Sequence, residues 1–216
     1  MKKLLTLFIV LNIGNLHAQT SGTQGLGSVS QRVRDHRTID GDPYLGDEKF
    51  QIGTVKMLNA KPLENAKIRY NVEVKEVEVL VDEANNDIKI AQNVTEIRLS
   101  DPAVTLKGFV FKMNGKDVVD YFQVLYDGKH KFLKHSVCTV RSANDYNAPT
   151  THFKYELEWH YALLMPDGSL EEVYLNKSLV KKLPPSDKLN TYMQEKNPKL
   201  KTEEQAIALL TFVDTN

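Results

Sequence analysis

Apolar residues at Ile68, Tyr70, Val72 and Val74, and again at Val77, Val79 and Val81, recur at every second position, the period of a strand with one wet face. The step from 74 to 77 breaks the count. One extra residue at Lys75-Glu76 restores it, which predicts a β-bulge and a local bend in a single strand, with Tyr70 inward and Arg69 outward. Phe50 to Leu58 predicts an earlier strand, with Asn59 to Asn65 as the connection. Asn85-Asn86-Asp87 turns the chain into Ile88-Lys89-Ile90, and Val94 to Leu99 and Val104 to Phe111 continue the alternation. Asn114-Gly115 tolerates the backbone of a tight hairpin, so 104–113 and 117–126 are expected to pair antiparallel. Asp127-Gly128 repeats the device, folding Val118 to Tyr126 onto Lys131 to Val140.

After the polar break at 142–151 comes the longest clean alternation. Phe153, Tyr155, Leu157, Trp159 and Tyr161 share one face, and His152, Lys154, Glu156, Glu158 and His160 the other. This pattern places Trp159 in the core. Pro166 to Ser169 turns the strand back into Leu170 to Leu175. From about Ser178 the period moves toward 3.6: a helical turn at Leu179 to Leu183, a helix capped by Ser186 or Asp187, and a last helix behind the capping box Thr202 to Gln205. The expected fold class is α+β, a strongly curved antiparallel β meander, half-barrel-like, with two short C-terminal helices packed on it.

The start of the chain joins Met1-Lys2-Lys3 to the apolar run Leu4 to Leu11 and a small residue at Ala18, the composition of a secretory signal peptide and too short to cross a bilayer. The expected organisation is a signal peptide at 1–18, a flexible lead at 19–40, an antiparallel β domain at 41–176 and a helical segment of the same domain at 177–216. Cleavage after Ala18 would leave 198 of the 216 residues and remove Lys2 and Lys3, so 26 basic residues face 28 acidic ones, a formal charge of −2. That balance gives no electrostatic footprint for nucleic acid. No membrane-spanning segment is expected once the signal is removed. Cys138 is the only cysteine, so no intrachain disulfide can form, and its setting in Ser136-Val137-Cys138-Thr139-Val140 suits a small core residue.

Candidate chemistry is sparse. His152 and His160 share a strand face but stand on the order of 26 Å apart, too far to share an ion. His130 and His135 differ by an odd number and point to opposite faces of a regular strand, so all four histidines are expected as solvated sheet residues. Glu156 and Glu158 form a paired-carboxylate candidate for acid–base work, although the surrounding Lys154, His152 and His160 make an ordinary charged exterior. No phosphate loop, nucleophile elbow or calcium loop occurs. No catalytic residue, cofactor or metal site is therefore expected. The aromatic residues remain. Phe109, Phe111, Tyr155, Leu157, Trp159 and Tyr161 either fill the core or line a concave face that takes an apolar ligand.

The stretches Gly41-Asp42-Pro43-Tyr44-Leu45, Phe50-Gln51-Ile52-Gly53 and Ile68-Arg69-Tyr70-Asn71 resemble a group of uncharacterised exported proteins of the Bacteroidetes with a G-x-P-Y-L…F-x-x-G…L-R-Y-N pattern. Tyr121 to Gly128 resembles that group's hairpin segment and Lys201 to Ile207 its closing helix, while Ile68 stands where the group has Leu. The resemblance implies a compartment and an architecture, with no activity to carry over. Element order and curvature are also similar to periplasmic lipoprotein-carrier half-barrels. Three functions follow as expectations: a non-enzymatic binding or interaction module of the cell envelope, with an envelope protein or an apolar small molecule as partner; a carrier of a lipid or other apolar ligand; and a hydrolase using His160 and Glu158.

Overall fold

A computed structural model of the chain describes residues 25–28, 39–113, 116–143 and 152–215. Twelve strands lead into a short 3-10 turn and two helices: β1 (Leu26–Ser28), β2 (Ile39–Asp40), β3 (Gln51–Met57), β4 (Leu63–Asn71), β5 (Glu76–Asp82), β6 (Asp87–Ala91), β7 (Val94–Ser100), β8 (Ala103–Met113), β9 (Lys116–Asp127), β10 (Lys131–Ala143), β11 (His152–Leu164), β12 (Leu170–Val173), the 3-10 turn (Leu179–Lys182), α1 (Asp187–Lys196) and α2 (Glu203–Asp214). They form one open, curved sheet in the order β1-β6-β5-β4-β3-β7-β8-β9-β10-β11-β12, with β2 added in parallel beside the start of β11. All other pairings are antiparallel. The expected α+β class, curved meander and two closing helices are what the chain adopts. The expected signal peptide lies outside the described residues, and two pieces of the expected flexible lead are strands, β1 and β2.

The expected single bulged strand at 68–81 is instead a hairpin. Tyr70 pairs with Val77 and Asn71 with Glu76, and Val72 to Lys75 make the connection. The missed beat in the alternation is a turn, and its signal is Asn71: the side-chain oxygen accepts from the N–H groups of Glu73 (3.1 Å) and Val74 (3.3 Å), an Asx turn. Lys75 closes it in the left-handed region, φ 57°. Tyr70 does point inward and is buried, while Arg69 stays half-buried on the other face. There its guanidinium lies over the rings of Tyr44 (4.2 Å) and Phe50 (4.4 Å) and bonds Glu78, Nε to Oε2 at 2.7 Å. The Tyr44 hydroxyl donates to Glu78 Oε1 at 3.1 Å, and Leu45 and Val72 exchange backbone bonds with Tyr70 and Pro43. Tyr44, Phe50, Arg69 and Glu78 thus form one cluster that, with the backbone bonds of Leu45 and Val72, ties the first turn of the domain to the β4–β5 hairpin.

The other hairpins follow the sequence signals. Met113 pairs with Lys116 across 114–115, Asp127 with Lys131, and Leu164 with Leu170. The concave face of β3 to β9 is filled by Val55, Ile68, Tyr70, Val77, Ile97, Leu106 and neighbours. A second cluster joins the helices to the ends of β10, β11 and β12 through Phe132, Leu163, Val173, Leu179, Leu209 and Leu210. Ser186 caps α1 by accepting from Leu189 N–H at 3.1 Å, and Thr202 caps α2.

Candidate functional site

Strand β9 is shared between two wings of the sheet. Its first part, residues 116–122, is paired with β8, whereas its pairing with β10 covers only 123–127 against 131–134, with a register shift at Phe132/Leu133. Beyond Lys134, β10 leaves β9 and follows β11, opening a split. Lys75, held out by the β4–β5 turn, enters it: the ammonium donates to the Ser136 carbonyl at 3.3 Å and pairs with Asp120 Oδ1 at 3.0 Å. A carbonyl beyond the ladder thus gains a donor, as buried backbone groups require. Asp120 Oδ1 also accepts from Tyr121 N–H at 2.7 Å, and Oδ2 accepts from His135 Nδ1 at 3.1 Å. Burial by itself pushes the Asp120 carboxyl up, but the His135 bond, the Lys75 charge and the Tyr121 N–H outweigh it and hold the group below the usual aspartate value.

On the other side of Asp120 lies a cleft of about 370 Å³. Its polar wall is His135, His160, Asp120 and Glu172, and its apolar floor is Phe111, Val137, Ala162 and Leu170. His135 and His160 stand directly opposite each other in the β10–β11 ladder, their rings edge to face with centroids 6.1 Å apart. His135 stacks on Phe122 at 4.6 Å, and Phe122 is braced in turn by Phe109 and Phe111. His160 Nδ1 donates to Glu172 Oε1 at 3.1 Å, and its Nε2 lies 3.6 Å from Glu158 Oε2. A carboxylate can only accept, so both imidazoles hold a proton on Nδ1; in the neutral form the Nε2 of His135 offers a lone pair, while that of His160 is turned toward the Glu158 carboxylate. The cleft therefore presents acceptors above an apolar floor. Among the described residues no group of three or more His, Cys, Asp or Glu is arranged around a metal ion.

The six residues expected on one apolar face fall on two. Phe109 and Phe111 pack with Phe122, Leu133 and Ala162 on the side of the histidine cleft. Tyr155, Leu157, Trp159 and Tyr161 face the opposite way, beside Val140, Cys138, Ser136 and Lys134 of β10. Trp159 is not in the core: it is 39% exposed, with the Lys134 ammonium 5.0 Å from its ring. The reason is length. β11 runs for 13 residues, but the helices and β12 cover only its end, where Ala162 and Leu163 are buried and Tyr161 bonds Glu203 (2.8 Å).

Glu156 and Glu158 are both bridged by Arg141, at 3.0 and 2.8 Å, and so behave as a solvated ion cluster rather than an acid–base pair. His152 is exposed as expected, but His130 is buried against Asp214 of α2, and His135 and His160 are half-buried and brought together. Cys138 packs against the concave core, and burial pushes its thiol up, away from a reactive thiolate. The pairing of His135 with His160 follows from the register of β10 with β11, which the polar break at 142–151 does not set: a hairpin centred on that break places His135 opposite Glu158. Comparison with protein-family models, curated proteins and solved structures finds no match for this chain.

Proposed function

We propose that the protein is a non-enzymatic binding module, exported to the cell envelope, whose ligand seat is the two-histidine cleft. The observation that carries this reading is the convergence of His135 and His160, each aligned by a carboxylate, over an apolar floor. Small-molecule sites have this character, an apolar surface with a few placed polar groups. The Nε2 lone pair of His135 and the Glu172 carboxylate accept hydrogen bonds, so the complementary ligand is an apolar body with a protonated amine. Among the described residues, the lining holds no Ser, Thr, Cys or Lys to serve as nucleophile. Export rests on the basic and apolar start of the sequence. A lipid-carrier reading draws less support, because the concave face is occupied by Tyr70, Ile68, Ile97 and Leu106, all at 0–2% exposure.

Calorimetric titration with 2-phenylethylamine and with phenylacetate separates donor from acceptor head groups on the same apolar body. The amine is expected to bind saturably and to lose about tenfold in affinity in Glu172→Gln, the loss of one charge-assisted hydrogen bond. Equal binding of the two probes, or none of either, would remove the reading. A hydrolytic second reading has one observation in its favour, the 3.6 Å approach of His160 Nε2 to Glu158. It requires ester turnover that disappears in His160→Asn.

A further inference from the structure

Strand β11 is unequally covered along its two edges. On one side β10 pairs with all 13 of its residues. On the other side β12 takes only Tyr161 to Leu164, and β2 only Phe153 and Lys154. Between them, among the described residues, no strand pairs with the outer edge of β11 from Glu156 to His160, and no other backbone hydrogen bond reaches it. At the rise of a strand this open stretch is about 17 Å long. A row of unpaired N–H and C=O groups is a template for one more strand.

The side chains beside this edge are also the ones that the fold leaves part-covered. Leu157 and Trp159, on one face, are 37% and 39% exposed. The other face carries Glu156, Glu158 and His160. An added strand would continue the ladder and set its own side chains about 4.5–5.5 Å from these, shielding the two apolar residues.

The slot is bounded in the plane of the sheet, and this decides what can enter. A second copy cannot offer its own β11: antiparallel pairing of the two open stretches would set the β12 of each copy on the β11 of the other, because β12 begins where the open stretch ends. The occupant is therefore a short extended segment whose flanks leave the sheet at β2 and β12. Charge says which segment. On the face of Glu156 and Glu158, four carboxylates, Asp40, Glu156, Glu158 and Glu172, stand against two cations, Lys154 and Arg141, an excess of two negative charges. Such an edge repels an acidic strand and attracts a basic one.

We propose that the open edge of β11 takes an extended segment of a partner protein, about five residues long, in which basic and apolar residues alternate. Its apolar residues lie beside Leu157 and Trp159, and its lysines or arginines beside Glu156, Glu158 and His160. The probe is the capped pentapeptide Lys-Val-Lys-Val-Lys, whose pattern reads the same in either strand direction. Titrated into the full chain at millimolar concentration, it is expected to bind saturably at one site and to protect the outward-facing amides of Glu156 to His160 from hydrogen exchange. Methylation of its internal amides keeps its charges but removes its ladder donors, and is expected to cost at least about tenfold in affinity. Glu-Val-Glu-Val-Glu is expected not to bind. The variant Glu156→Gln/Glu158→Gln, its folding checked by thermal denaturation, is expected to bind the basic peptide about fivefold more weakly. Absence of saturable binding, equal binding of the methylated or the acidic peptide, or unchanged affinity in the folded variant would each overturn the proposal. So would outward-facing amides already protected in the chain alone, as another copy or the chain's own segment on this edge would make them.

Discussion

Two stretches with nearly the same alternation meet different fates. In β4 and β5 the alternating residues Ile68, Tyr70, Val77 and Val79 are all buried, at 0–3% exposure. In β11 the equally regular Tyr155, Leu157 and Trp159 are half-buried or exposed, and burial is complete only at Ala162 and Leu163. Alternation divides a strand into two faces but does not say how much of either face is covered. The β4–β5 hairpin is third and fourth in the strand order, and its inward residues are covered by the core cluster of β3 to β9. β11 lies near the sheet's end, and the helices reach only its last residues.

The largest test of this difference is truncation of the two aromatics. Tyr70→Ala is expected to cost about 3–5 kcal/mol in denaturant unfolding, as for a large core side chain. A loss near that of an exposed site would mean the concave face is not the core. The Lys75–Asp120–His135 network joins the wings, and Asp120→Ala is expected to cost about 2–3 kcal/mol, because it leaves a half-buried ammonium and an imidazole without their acceptor. The same group gives a pH dependence. Its folded pKa lies below the unfolded aspartate value, so its contribution is present above about pH 4 and is lost as the pH falls through the folded value. An acid limb of the stability curve that is unchanged in Asp120→Asn would contradict this.

How much was legible in the chain follows from the same contrast. Turns with their own chemistry were readable: Asn114-Gly115, Asp127-Gly128, the Ser186 and Thr202 caps, and the change of period near Ser178. The Asn71 turn was not, because the apolar residues Val72 and Val74 keep the strand period running through it. Two long-range facts were also hidden. Trp159 depends on where the helices stop, and the histidine cleft depends on the register of β10 with β11 and on the split from β9. His130 was hidden for a similar reason, since its partner Asp214 lies 84 residues away.

Smaller effects sharpen the comparison. Trp159→Ala is expected to lower stability by less than about 1 kcal/mol, the range of half-exposed sites, and a loss above about 3 kcal/mol would return it to the core. The Tyr70 hydroxyl is buried without a hydrogen-bond partner among the described residues, and burial together with the nearby Asp120 charge pushes its pKa up. Tyr70→Phe removes an unsatisfied polar group, so it is expected to be neutral or to stabilise by up to about 1 kcal/mol. A clear loss in thermal unfolding would reveal a partner for that hydroxyl.

The ligand seat itself is tested most directly by ¹⁵N NMR of the imidazole rings during titration with 2-phenylethylamine. The Nε2 resonances of His135 and His160 are expected to move together and saturate at one equivalent of bound ligand, while phenylacetate leaves them in place. Two ring signals that stay unmoved by the amine, or that respond equally to the acid, would contradict the assignment of this cleft as the binding site.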